Sequence, residues 1–209
     1  MIYYWVSCII IYGTRLTALS FGIYNYKTIK GTSEKYFPHF ITLTLIFDAI
    51  AIYMVWAMEI SASKSSDIYG IIFISFIIWW YFQLLNNKLL LIVSIILLIV
   101  SYSLDLLYNT NIESEFPIRV VSSAIIVLIS VFVFLQNQIL NNQHIDYLKL
   151  RAFWISIGLL IYQVTLMPVL LFLPNLSRLD WELNLVLSFI NIALYGCITY
   201  ALSLKSNDE

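Results

Sequence analysis

Apolar residues in this chain do not alternate with polar ones. They run together for about 20 residues at a time and are then cut by short polar segments. A helix needs about that length to cross a hydrocarbon core of roughly 30 Å. The pattern predicts seven helices, over residues 2–24, 37–59, 68–85, 89–108, 118–136, 152–173 and 183–204. The connections leave no room for a soluble domain, so the expectation is one all-α, seven-transmembrane-helix bundle over residues 1–209. A β-barrel would need period-two alternation, which is absent from these stretches. Asn86, Asn87 and Lys88 make a tight polar hairpin between the third and fourth helices. Pro117 suits the first turn of the fifth helix, and Pro168 is expected to kink the sixth. The Asn/Gln-rich segment 136–143 either extends the fifth helix or forms plain loop.

Against that apolar background one ionised residue in the second stretch stands out. Asp48 lies close to the middle of its helix, where a carboxylate costs on the order of 2.5–3.5 kcal/mol. Arg15 lies in the first stretch, equally far from the turn near Gly31 and Thr32, so the two are expected to meet at matching depth on antiparallel neighbours. Two roles are open to such a pair. It can be an ion-coupled or ligand-binding centre, or a staple whose arginine fork fixes helix packing. Gln163 and Asn191 fall at similar depth in the last two helices. They either glue helices together or complete a polar midplane pocket with Arg15 and Asp48. Tyr12, Tyr53, Tyr162 and Tyr195 can add hydroxyls to such a pocket.

Composition sharpens this picture. The chain is 61% hydrophobic and only 11% charged, far from the quarter charged of soluble domains. A net charge of −1 with scattered basic residues gives no footprint for nucleic acid. The two cysteines, Cys8 and Cys197, sit inside apolar stretches and form no CxxC centre. No positive charge precedes Arg15, so the first stretch reads as a retained helix rather than a signal peptide.

Lys27, Lys30, Lys35, Lys88, Lys149, Arg151 and Lys205 fall on one side of the predicted helices and outnumber Lys64, Arg119 and Arg178 on the other. By the positive-inside rule the N-terminus is outside and the C-terminus cytoplasmic. Aromatics agree, with Tyr3, Tyr4, Trp5, Trp56 and Trp181 at the outer interface and Tyr26, Tyr36, Trp79, Trp80 and Trp154 at the inner one. On the outer side Glu59, Asp105 and Arg119, with Arg178, Asp180 and Glu182, form either the mouth of a vestibule or ordinary solvated loop charge.

The two histidines, His39 and His144, are both placed at the cytoplasmic edge. They cannot supply the three-histidine set of a transmembrane zinc hydrolase, nor ligate haem between helices. The seventh helix carries no lysine midway for a retinal Schiff base. No glycine-framed serine nucleophile appears. No cofactor, metal site or catalytic set is therefore expected. Asp48 as an acid–base residue in lipid hydrolysis lacks a nucleophile to work with.

The run Leu-Lys-Leu-Arg-Ala-Phe-Trp-Ile-Ser-Ile-Gly-Leu-Leu-Ile-Tyr, residues 148–162, resembles the sixth helix of a group of uncharacterised small seven-helix membrane proteins of Bacteroidota. The likeness is sharpest at residues 153–162. Those proteins carry an acidic residue in helix 2 after a Tyr-Phe-Pro-like entry. Here Tyr36, Phe37 and Pro38 precede Asp48, an aspartate where the group has glutamate, which shortens the reach to any partner. The resemblance implies the membrane portion of a bacterial sensory system. The expectation is then an inner-membrane sensory or signalling-accessory protein, embedded in membrane lipid, acting through a separate partner such as a membrane histidine kinase or through a homo-oligomer. The alternatives are a small proton- or ion-coupled transporter and a lipid-modifying enzyme.

Overall fold

The computed structural model describes residues 2–58, 62–108, 118–141, 147–172 and 180–204. They form α1 (Ile2–Tyr24), a short α2 (Tyr26–Ile29), α3 (Phe37–Met58), α4 (Ala62–Leu85), α5 (Lys88–Tyr108), α6 (Ile118–Asn141), α7 (Arg151–Phe172) and α8 (Asp180–Ser203). Short 3-10 turns cover Ser33–Tyr36 and Tyr147–Lys149. Six of these helices are long and apolar enough to cross a membrane, and α4 adds the shorter apolar stretch Gly70–Leu85. This is the make-up of a multi-pass helical membrane protein.

The helix ends differ from expectation where polar residues continue a helix. α4 begins at Ala62 rather than 68 because its Ser-Lys-Ser-Ser-Asp segment stays helical although it is not apolar. α6 runs on to Asn141, so the Asn/Gln-rich segment is helix as far as that residue. α7 continues through Pro168 to Phe172. Pro117 lies outside the described residues.

Six helices close a ring in the order α1, α3, α4, α6, α7, α8 and back to α1. α5 stands outside it, packed on α4 and α6. That position explains its surface: Ile92, Val93, Ile95, Ile96, Ile99 and Val100 are all exposed. Among its described side chains only Leu90, Ser94, Ser101 and Asp105, at helical spacing, are buried. Exposed large apolar side chains around the bundle are what a lipid solvent requires.

Neighbours around the ring are antiparallel except at two places: α4 and α6, where Tyr81 meets Phe134 towards the end of both helices, and the closure. Ser7 meets Asn184, Arg15 meets Tyr195, and Gly22 lies against Leu202, so α1 and α8 run parallel. Glycine sets two of the closest approaches. A Cβ on Gly22 would come within 2.6 Å of Pro38 on α3, and one on Gly158 within 2.8 Å of the Cys197 Cβ on α8. Across the interior, Tyr81 of α4 donates its hydroxyl proton to Ser156 of α7 at 2.8 Å, and the Phe73 ring packs on Tyr162.

One interface expectation is overturned. Trp80 is wholly buried, edge-on to Phe37 at 5.1 Å and beside Tyr81, so it belongs to the core rather than to an aromatic belt. Its neighbour Trp79 lies about 100° round the helix and is the one that packs edge-on against Tyr36.

Candidate functional site

Arg15, Ala18 and Gly22 recur at helical spacing on one face of α1, and all three are buried. That face looks towards α3 and α8. Because Gly22 lets α1 approach Pro38 closely, Arg15 two turns away comes level with Asp48. Its Nη1 donates to Asp48 Oδ2, and the two form an ion pair between antiparallel helices at matching depth. The expected pairing is present. The Arg15 side chain is 10% exposed and the Asp48 side chain 23%, so the carboxylate is the more accessible partner.

Two aromatic side chains complete the surroundings. The Arg15 guanidinium lies over the Tyr195 ring at 5.3 Å from its centroid, a cation–π contact from α1 to α8. Tyr162 of α7 is close enough to Tyr195, Arg15 and Asp48 to interact with all three electrostatically. The polar centre therefore draws on α1, α3, α7 and α8. An arginine suits this place because its planar ion accepts a carboxylate at the edge and a ring at the face.

The other expected members fare differently. Asn191 is buried one turn from Tyr195 on α8, but its amide donates to the Leu187 carbonyl of its own helix at 2.8 Å. Gln163 is buried on α7, on the stripe it shares with Leu159 and Ser156, about 100° round from Tyr162. Tyr53 is 61% exposed and faces outward. Of the outer group, Glu59 lies outside the described residues, and the side chain of Arg119 is not among those described. Asp105 is buried in the last turn of α5, on the face turned to α4 and α6, so it is not solvated loop charge.

A second buried arginine was read in the sequence only as a positive-inside charge. Arg151 opens α7, is 7% exposed, and donates from Nε and Nη2 to the Leu204 carbonyl at 3.2 and 2.6 Å. Its Nη1 reaches the Thr28 carbonyl at 3.3 Å. It thus ties the start of α7 to the end of α8 and to α2. The only sequence signal was its position, a basic residue opening a helix, and that is too common to single out. His39 packs edge-on to Tyr26 on the same rim. Among the described residues no group of three His, Cys, Asp or Glu side chains could hold a metal ion.

Compared with protein-family models, with curated proteins and with solved structures, the chain matches none.

Proposed function

We propose that this is a membrane sensory or signalling-accessory protein whose polar centre at Arg15 and Asp48 responds to a small or lipophilic ligand. The rim carrying Arg151 is assigned to the cytoplasm, and there the response is handed to a partner protein such as a membrane histidine kinase. The observation that carries the reading is a shared set of helices. α1, α7 and α8 bring Arg15, Tyr162 and Tyr195 together in the bundle, and Arg151 ties α7, α8 and the α2 turn after α1 at the rim. A shift in the first set displaces the second, since packed helices move as units. The likeness of residues 148–162 to the Bacteroidota group points the same way.

The greater exposure of Asp48 favours a second reading, a small transporter with Asp48 as the coupling carboxylate. Purified chain in proteoliposomes separates the two. The sensory reading expects no solute flux, and a partner protein identified by mass spectrometry after native purification whose association weakens in Asp48→Asn. Uptake by the purified chain alone, with a pH dependence lost in Asp48→Asn, would replace it with the transporter. A reporter fused after Leu204 that appears outside the membrane overturns the assigned orientation.

A further inference from the structure

On the outer surface of the ring, α1 and α8 leave a groove of about 350 Å³ between them. Thr14, Thr17 and Phe21 line it from α1, and Gly196, Thr199 and Ser203 from α8. The hydroxyls are already bound to their own helices: Thr14 to Ile11, Thr17 to Gly13, Thr199 to Tyr195 and Ser203 to Tyr200, at 2.6–2.9 Å. Apart from the Tyr200 phenol, the walls therefore present methyl groups, glycine backbone and apolar side chains, and they select a largely apolar occupant.

The dimensions say which one. The lining spans α8 from Ile192 to Ser203, roughly 17 Å at 1.5 Å per residue. That is close to one leaflet of a hydrocarbon core about 30 Å thick. A groove of that length and volume suits a single hydrocarbon chain.

Charge at the open end identifies the headgroup. The groove begins level with Arg15 and ends at Ser203, beside the Leu204 carbonyl that Arg151 joins to Thr28. Lys27 and Lys30 flank Thr28 and are exposed, whereas Glu34, the one carboxylate described on this rim, is buried.

We propose that the α1–α8 groove holds one acyl chain of an anionic phospholipid, with its headgroup at Lys27 and Lys30. This rests on the membrane reading above but not on the role of Asp48. Thr14 and Gly196 adjoin Arg15 and Tyr195 in sequence, so the chain lies against the outer side of the two helices that hold the polar centre.

Full-length protein in vesicles of phosphatidylcholine with phosphatidylglycerol tests it, by native mass spectrometry of the lipid retained after detergent extraction. The expected result is one retained phosphatidylglycerol, preferred over phosphatidylcholine by about fivefold per lysine. Lys27→Gln with Lys30→Gln removes the preference while lipid is still retained. Gly196→Leu, whose Cβ meets open space, fills the groove and abolishes retention with its helical content and melting unchanged. Retention undiminished in Gly196→Leu overturns the proposal, as does equal retention of both lipids by the wild type. Thr17→Cys chains that cross-link across copies in the vesicles also overturn it, placing a second copy in the groove. Carbonate extraction is read separately. A chain released from the vesicles overturns the membrane reading as well, and a chain that stays without bound phosphatidylglycerol overturns the groove alone.

Discussion

Arg15 and Arg151 are buried to nearly the same degree, 8% and 7% exposed, yet the contacts described for them differ in kind. Arg15 is neutralised by a carboxylate and a tyrosine ring inside the bundle. Arg151 is bound by main-chain carbonyls at the end of α8 and in α2, groups that carry only partial negative charge. The difference follows from depth. Inside the bundle the low polarity of the surroundings makes an ion costly, so a full counter-charge is needed. At a rim the carbonyls left over at helix ends contribute, and nearby solvent adds to the solvation. The pair in the bundle is therefore a neutralisation by opposite full charges, and the rim contact a tie through main-chain carbonyls.

The largest expected effect breaks the first half of that contrast. Asp48→Leu leaves Arg15 buried without its counter-ion and should cost about 3–5 kcal/mol. Arg15→Leu combined with Asp48→Leu should recover most of it, read as the melting temperature of purified protein in detergent. If the double variant is as unstable as the single one, the pair is not mutually neutralising. The second half is tested at Arg151. Arg151→Leu should cost less, about 2 kcal/mol, since water can reach the freed Thr28 and Leu204 carbonyls. Arg151→Lys should recover only part, because an ammonium cannot match the fork that binds both carbonyls. The smallest effect sharpens the role of the ring beneath Arg15. Tyr195→Leu should destabilise by about 1 kcal/mol in the wild type and by less in the Arg15→Leu, Asp48→Leu background, where no cation remains. Equal losses in both would assign Tyr195 to packing alone.

Much of this was legible in the residues. Long unbroken apolar runs located the helices, and equal distance from a turn was enough to pair Arg15 with Asp48. What stayed hidden depends on lateral order, which hydropathy does not encode. Nothing in 89–108 says that its helix stands outside the ring, so Asp105 looked like a surface charge when it is a buried one. Trp80 looked like an interface anchor because depth along the membrane was readable and direction around the helix was not. Gln163 and Asn191 were at the right level, but rotation decides what an amide meets, and Asn191 meets its own backbone. Arg151 was visible as a charge and invisible as a contact, since the partners described for it are main-chain groups with no side-chain signature.

The closure of the ring by its first and last long helices has a consequence for biogenesis. Ser7 and Asn184 are hydrogen-bonded across a sequence separation of 177 residues. At ~5–20 residues per second, α1 waits about 10–35 s for the neighbour that covers it. Its basic residue would meanwhile face the insertion machinery or lipid, were it not that α3 emerges soon after and carries the matching acid. An early hairpin of α1 and α3, neutralised by its own ion pair, gives the nascent chain a holding arrangement. Only the final helix, sliding in alongside, turns it into a closed bundle.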